Sequence, residues 1–236
     1  MSDFFRFPGT THIAWLADGS PREDKVLSRK EAEAFLESVV CIEEKVDGAN
    51  LGFSLSPDGT VRAQNRGQYL HSPHAGQFAR VPEWLEMHGV GIHTALALHA
   101  DAGLILFGEW CAARHSLDYT TLPDWFLLFD VYERTSSRFW SSARRNALAA
   151  QCGLATVPTL LQGRFTLDEL KSMLDTTQSR YRKGKLEGIV IRQESADWCE
   201  ARVKLVRPDF TQTILEHWSR RRLEWNRLDA SSGHNP

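Results

Sequence analysis

Apolar and polar positions along the chain follow two different periods, and turn residues separate the segments. Residues 39–44 and 51–55 are apolar runs of strand length on either side of a tight Asp47-Gly48 turn. The sequence Pro57-Asp58-Gly59 predicts a turn into a third strand over residues 60–65. We therefore expect a β-rich stretch early in the chain.

Helical and extended patterns then follow one another without regular alternation. The further predicted strands are residues 104–110, 125–132, 187–192 and 201–206. The capping box Ser28-x-x-Glu31 predicts the start of a helix that ends near Ser38, and Thr166-x-x-Glu169 predicts the start of a second, short helix. Three further helices are predicted at residues 81–87, at residues 92–99 and from about Ser142 to Gly153. The last predicted helix spans residues 209–222, where Phe210, Ile214, Leu215 and Trp218 share a face. This order predicts an α+β fold with antiparallel sheets.

Composition excludes few functions. The 236 residues are 42% hydrophobic and 25% charged, which is ordinary for a soluble globular protein. No apolar run approaches the roughly 18 residues of a membrane helix, and no secretory signal is visible, so we expect no membrane association. The four cysteines are scattered without a C-x-x-C pair, which favours reduced thiols and a cytoplasmic location. A net charge of −2 leaves room for a nucleic-acid binder only through a local basic patch.

The segment Glu-Lys-Val-Asp-Gly-Ala-Asn at residues 44–50 is the strongest chemical signal. Lys45 ends an apolar strand and precedes a turn, a position that would direct its amine into a cleft. A lysine nucleophile needs its proton removed, through nearby positive charge, a metal or partial desolvation. The motif alone leaves open a simple hairpin with an exposed lysine.

Further motifs follow this segment in order. They are Asn65-Arg66-Gly67, Phe107-Gly108-Glu109-Trp110, Phe-Leu-Leu-Phe-Asp-Val at residues 126–131, Glu-Gly-Ile-Val-Ile at residues 187–191 and Val-Lys-Leu-Val-Arg at residues 203–207. Together, over residues 41–210, they resemble the motifs of the covalent nucleotidyltransferases, which include RNA ligases, DNA ligases and mRNA capping enzymes. Residues 108–131 are most similar to the RNA ligase branch.

The resemblance implies one nucleotidyltransferase domain over residues 1–228, ATP-grasp-like, with two antiparallel sheets and flanking helices, and a disordered tail at 229–236. It also implies an ATP-dependent RNA ligase: Lys45 attacks the α-phosphate of ATP, and the resulting lysyl-AMP passes AMP to a 5′-phosphate end that a 3′-hydroxyl then seals. ATP and Mg²⁺, or Mn²⁺, would be the cofactors, and RNA ends or nicks the nucleic-acid partner.

The resemblance also implies roles for individual residues. Lys45, Glu187 and Lys204 would be catalytic, and Glu109 and Glu187 would hold the metal. The nucleotide contacts would be Glu44, Asp47, Asn50, Arg66, Glu109, Phe129 and Arg202. Phe129 is open to a second interpretation as a core residue, because an aromatic on an apolar strand is usually buried.

Several alternatives remain open at this stage. The last motif places either Arg202 with Lys204 or Lys204 with Val206 at the phosphate. Only about thirty residues follow it, so we expect substrate affinity to come from the core, from Arg220-Arg221-Arg222 or from a protein partner; the oligomeric state is left open. His115 is a candidate substrate contact, whereas His71 and His74 are favoured as surface residues over metal ligands.

Three other functions compete with RNA ligation. An adenylyltransferase acting on DNA nicks or another polynucleotide would share the first step. A non-catalytic nucleotide- or RNA-binding module would not need the lysine nucleophile. A GTP-using capping enzyme is disfavoured because the expected appended domain is missing.

Overall fold

The computed structural model describes residues 4–19, 25–213 and 223–230. Its strands are β1 Thr11–His12, β2 Val40–Lys45, β3 Ala49–Leu55, β4 Val61–Gln64, β5 Leu104–Trp110, β6 Phe126–Glu133, β7 Arg138–Trp140, β8 Ala155–Thr156, β9 Thr159–Gly163, β10 Gly188–Glu194 and β11 Trp198–Val206. Its helices are α1 Arg29–Leu36, α2 Val81–Leu98, α3 Ser142–Cys152, α4 Leu167–Thr176 and α5 Pro208–Thr213.

Helix starts and ends follow the capping signals. Both capping boxes are formed: the hydroxyls of Ser28 and Thr166 accept the backbone N–H of Glu31 and Glu169, and each glutamate accepts the cap's own N–H. Gly153 ends α3 in the left-handed conformation, at φ 68°, which costs glycine little. These boundaries could be read from the sequence because caps depend only on neighbouring residues.

Three features differ from the expectation. The two helical segments at 81–87 and 92–99 form one helix, α2, in which two glycines do not interrupt the hydrogen bonding. Strands β1, β7, β8 and β9 were not predicted, since they have only two to five residues and lack clear alternation. The last helix is described only as far as Thr213, so Ile214, Leu215, Trp218 and Arg220-Arg221-Arg222 lie outside the described residues.

The sheet has two arms that β7 connects. Its strand order is β4-β3-β5-β6-β7-β11-β10-β2-β9, with antiparallel neighbours along the path, while β1 and β8 add parallel pairs to β11 and β6. The α+β fold with antiparallel sheets is therefore confirmed, and the two expected sheets are the arms of one continuous sheet. No helix in the described ranges is long and apolar enough to cross a membrane.

The turn at Asp47-Gly48 is a crossover between the arms. β2 pairs with β10 and β9, whereas β3 pairs with β4 and β5, so β2 and β3 do not form a hairpin. The simple hairpin interpretation is therefore wrong. The crossover places the end of β2 at the junction of the two arms.

Each arm has its own apolar core. On one side α2 and α3 pack against β3, β5 and β6, around Phe53, Trp84, Trp110 and Phe126. On the other side α1 and α4 pack against β2, β10 and β11, around Ile42, Ile189, Ile191 and Leu205. A cleft remains between the arms, and residues of β2 and β6 line it.

Two glycines of α2 provide a matched test of the packing between α2 and α3. A Cβ on Gly89 would meet nothing within 4 Å, whereas one on Gly91 would lie 2.6 Å from the carbonyl oxygen of Cys152. We expect Gly89→Ala to stabilise the protein by up to about 1 kcal/mol through helix propensity. Gly91→Ala should destabilise it by about 1–3 kcal/mol through overpacking. Urea denaturation measures the free energy of unfolding of both variants. Equal changes in the two would contradict the close approach of Gly91 to Cys152.

Candidate active site

Lys45 is the last residue of β2 and lies where the chain leaves one arm for the other. The crossover passes close to β5, because a Cβ on Gly48 would lie 2.5 Å from the carbonyl oxygen of Trp110. Only glycine fits at this position without displacing the backbone of β5. The Lys-x-Asp-Gly spacing thus has a steric cause.

Asp47 anchors the loop that follows β5. Its carboxylate accepts the backbone N–H groups of Ser116 and Leu117 at 2.8 and 2.9 Å. Its own N–H donates to the hydroxyl of Tyr119 at 2.8 Å. These bonds hold the 115–119 loop against the strand that carries Lys45.

Lys45 is held by an ion pair with Glu187, which directly precedes β10. The Nζ donates to Oε1 of Glu187 at 2.5 Å. Register explains the contact, since Lys45 lies opposite Gly188 in the antiparallel pair of β2 and β10. Burial lowers the pKa of Lys45, but the carboxylates of Glu187 and Glu109 more than offset it, and the pKa is raised above its ordinary value.

Two glutamates, the buried Glu187 and the half-buried Glu109, share the surroundings of this amine. Burial raises the pKa of Glu109 to about 7 and that of Glu187 to about 8, although Lys45 opposes both shifts. Asp47 adds to the rise in both cases. The site therefore concentrates negative charge that the single lysine does not neutralise.

The carboxylates fit a divalent cation bound together with a nucleotide. Oε2 of Glu187 is buried and has no hydrogen-bond partner in the structure. Mg²⁺ commonly takes only one or two protein carboxylates and completes its shell with water and substrate phosphates. This agrees with the described residues, which contain no group of three or more acidic, histidine or cysteine side chains that could hold a metal alone.

A cavity of about 500 Å³ opens beside Lys45, within the size range of small-molecule sites. The predicted site residues that line it are Glu44, Lys45, Asn50, Arg66, Glu109, Phe129, Arg202 and Lys204. Asp47 and Glu187 are not among its lining residues. Oδ2 of Asp47 accepts the backbone N–H groups of Ser116 and Leu117, and its contact with a nucleotide stays a prediction. Glu187 reaches the site through Lys45.

Side chains of β11 bear on the register that the sequence left open. Arg202 and Lys204 both line the cavity, whereas Val206 is buried and is not among the lining residues. Arg202 is held in place by Asp130, with 3.2 Å between Nη1 and Oδ2. The structure therefore favours the pair Arg202 and Lys204 at the phosphate.

Phe129 combines the two interpretations that its sequence position allowed. Its ring is half-buried and packs against apolar neighbours, and it also forms part of the cavity wall. Phe7 meets it edge-on, with ring centroids 5.2 Å apart. An exposed aromatic face at a cavity wall suits stacking with a planar base.

Other predicted positions have mixed outcomes. His115 lines the cavity, bonds to Oε1 of Gln77 at 2.7 Å through Nε2, and has its pKa lowered by burial. Glu44 lines the cavity but accepts the N–H of Arg180 with Oε2, while burial raises its pKa. Neither His71 nor His74 belongs to a metal-binding group among the described residues.

Sequence reasoning missed a buried ionic network under the cavity. Arg145 of α3 bonds to Glu43 of β2 at 2.6 Å, and Arg192 of β10 bonds to Asp130 of β6 at 2.8 Å. All four side chains are at most 2% exposed. The available signal was a charged residue at an otherwise apolar strand position, as in the sequence Val-Cys-Ile-Glu of β2.

Comparison with known proteins places this geometry in a family. A family model described as RNA ligase matches residues 38–206 of the chain. No curated protein matches the chain by sequence.

Solved structures of the Naegleria gruberi RNA ligase share the fold. A variant with ATP and Mn has a TM-score of 0.64 at 15% identity, and the match covers 92% of this chain and 60% of that chain. The enzyme with PPi gives 0.61 at 16% identity, over 90% and 65%. A variant with AMP and Mn gives 0.59 at 15% identity, over 90% and 65%. This chain thus spans less than two thirds of the length of those it matches.

The ion pair of Lys45 predicts how its amine titrates without metal. Only the neutral amine reacts with acetic anhydride, so a raised pKa confines labelling of Lys45 to high pH. Glu187→Gln removes a charge that raises this pKa. Labelling should begin about 1–2 pH units lower, since a hydrogen bond to a charged group contributes about 1.5–3 kcal/mol and 1.36 kcal/mol equals one unit.

The measurement is the acetylated fraction of the Lys45 peptide against pH, by mass spectrometry in EDTA. Glu83→Gln, at an exposed position of α2, is the control and should leave the profile unchanged. An unchanged profile in Glu187→Gln would contradict the ion pair.

The buried network predicts a large difference between two arginine substitutions. Arg145→Met removes the main partner of the buried Glu43 carboxylate and should destabilise the protein by about 3–5 kcal/mol. Arg29→Met breaks an exposed ion pair with Glu33 and should cause no measurable change. Chemical denaturation of both variants checks this, and similar stabilities would refute the proposed importance of the network.

Proposed function

The chain belongs to the RNA ligase family, and on that premise we propose that it is an ATP-dependent RNA ligase that works through a covalent lysyl-AMP intermediate. The observation that carries the proposal is the position of Lys45. Its amine is 2.5 Å from a buried carboxylate and lines a cavity that also contains cationic side chains. A binding module has no need for a lysine amine paired with a buried acid in this way.

In the first step Lys45 acts as the nucleophile. Its Nζ gives up a proton, and Glu187 Oε1, which already accepts a hydrogen bond from it, is placed to receive that proton. The nitrogen lone pair forms a bond to the α-phosphorus of ATP, while the bond from phosphorus to the bridging oxygen breaks. Pyrophosphate leaves with that electron pair, the nitrogen loses its second proton to the solvent, and lysyl-AMP remains.

Cationic side chains of the cavity would neutralise the phosphates. Arg66 enters from the loop after β4, and Arg202 and Lys204 enter from β11 on the other arm. Phosphoryl transfer depends mainly on positioning and charge stabilisation. Cations from both arms allow the nucleotide to be held across the cleft.

Glu109 and Glu187 would hold Mg²⁺ or Mn²⁺. When bound, the cation neutralises phosphate charge and favours the unprotonated form of Lys45. The unpartnered Oε2 of Glu187 and the raised pKa of both carboxylates support this assignment.

The later steps transfer and release AMP. An oxygen of the RNA 5′-phosphate attacks the phosphorus of lysyl-AMP, the P–N bond breaks, and Lys45 regains its proton. The 3′-hydroxyl then attacks the activated 5′-phosphorus and loses its proton, while AMP leaves as the phosphodiester forms. Arg66, as a cation at the cavity wall outside the ion pair of Lys45, is suited to the incoming 5′-phosphate.

We also propose a cellular location and binding partners for the protein. All four cysteines are free, and Cys41, Cys111 and Cys152 are buried, which supports a reducing compartment such as the cytoplasm. Nucleic-acid ends or nicks are the proposed partner. A protein partner is also proposed as a source of further substrate affinity.

The first half-reaction tests the proposal directly. Wild-type protein with Mg²⁺ and α-labelled ATP should retain label covalently, and α-labelled GTP should give none. Lys45→Ala should reduce labelling by at least about 10³-fold, because a covalent nucleophile has no substitute. Lys171→Ala, at an exposed lysine of α4, is the matched control and should label normally. Equal labelling of wild type and Lys45→Ala would exclude the mechanism.

The acceptor is tested in the same protein. Nicked duplexes whose broken strand is RNA should be sealed faster than all-DNA nicks. Preferential sealing of DNA would replace the RNA assignment with a DNA-nick adenylyltransferase. Absence of labelling from folded protein that carries no AMP already would favour the binding module.

A further inference from the structure

The amino-terminal segment, residues 4–12, forms a wall of the nucleotide cavity although it lies outside the region that the family model matches. Phe7 and Thr10 line the cavity. The segment is fixed at both ends: the carbonyl oxygen of Phe5 accepts a hydrogen bond from Nε2 of Gln64 at 2.8 Å, and β1 pairs with Val203 and Lys204 of β11. It thus spans both arms of the sheet.

Phe7 contacts two residues that are predicted to bind the nucleotide, Phe129 and Arg202. Its ring meets the Phe129 ring at a centroid distance of 5.2 Å and an interplanar angle of 65°. The guanidinium carbon of Arg202 lies 4.8 Å from the centre of the same ring. Phe129 belongs to β6 and Arg202 to β11, so Phe7 connects the stacking surface to a cationic group of the other arm.

The two contacts restrict different motions. An edge-to-face neighbour limits the rotation of the Phe129 ring, whose orientation decides whether a planar base can stack on it. The cation–π contact with Phe7, a second one with Phe139 at 4.1 Å and the ion pair to Asp130 together limit the positions of the Arg202 guanidinium. Phe7 is only 6% exposed, so solvent does not weaken these contacts.

We propose that Phe7 is a positioning residue for nucleotide binding, which orients the Phe129 ring toward the base and the Arg202 guanidinium toward the phosphates of ATP. The inference rests on the proposed function, because it takes ATP as the ligand of the cavity.

Phe5 provides a matched control within the same segment. Its ring stacks on Tyr132 at 3.7 Å and lies near Phe107 and Phe139, all within the same aromatic cluster as Phe7. Phe5 does not line the cavity, and no ring contact joins it to Phe129 or Arg202 in the described structure. Truncation of Phe5 therefore tests the packing of the segment without removing a contact to the residues that are predicted to bind the nucleotide.

The experiment measures the dissociation constant of α,β-methylene-ATP, which cannot transfer AMP, together with the kinetics of self-adenylylation. Phe7→Ala should weaken binding about tenfold, or 1.4 kcal/mol, and raise the KM for ATP similarly. The rate at saturating ATP should change less than about threefold, as expected for lost ground-state binding. Phe5→Ala should change binding less than twofold, Phe7→Tyr should restore it, and Phe7→Leu, which has bulk without an aromatic face, should not.

A double-mutant cycle separates positioning from packing. In a Phe129→Ala background Phe7→Ala should weaken binding less than threefold, because one of the groups it orients is gone. Equal losses in Phe7→Ala and Phe5→Ala, full rescue by Phe7→Leu, or the same tenfold loss in the Phe129→Ala background would overturn the proposal while leaving the ligase assignment intact. A wild-type protein that binds no ATP analogue and forms no adduct would overturn both.

Discussion

Two buried arginines under the cavity fix the relation between the arms of the sheet. Arg192 extends from β10 to Asp130 on β6, and Arg145 extends from α3 to Glu43 on β2. A charge in an apolar interior is tolerated only when it is paired and hydrogen-bonded, so separation of the arms would leave these charged groups without their partners. Both guanidinium groups also donate to the carbonyl oxygen of Phe129, at 2.7 Å from Arg145 and 3.4 Å from Arg192. The network therefore sets the backbone that presents the stacking ring.

On β2, residues of the ionic network and of the proposed active site occupy adjacent positions. Glu43 is directed into the ionic network and Glu44 toward the loop at Arg180, and Lys45 faces Glu187. Alternation along a strand places successive side chains on opposite faces. Lys45 therefore lies two residues after a rigidly held buried pair, which suits the nucleophile that we propose it to be.

Local signals in the sequence predicted much of the fold, and long-range pairing accounts for what they missed. The capping residues Ser28 and Thr166 act within one helical turn, so the starts of their helices were correctly predicted. The partners of β2 and the bond between Arg145 and Glu43, 102 residues apart, have no local signature. Site residues were predicted through ordered motifs, which is why Phe7, outside every motif, was overlooked. The hydrogen bonds that Asp47 accepts from the N–H groups of the 116–117 loop were not predicted, because backbone donors leave no side-chain pattern.

Two carboxyl groups of the site are in surroundings that disfavour their ionised forms. Glu109 and Glu187 have folded-state pKa values of about 7 and 8, above the ordinary range of a glutamate. A carboxyl whose pKa is raised on folding contributes no penalty while it is protonated, below its unfolded pKa, and costs stability as pH rises through the folded value. Near neutral pH these two groups are held partly protonated beside Lys45, at the expense of stability. The divalent cation that we propose for this site would offset the destabilisation by binding the ionised forms, so part of its affinity would come from the unfavourable surroundings that folding imposes.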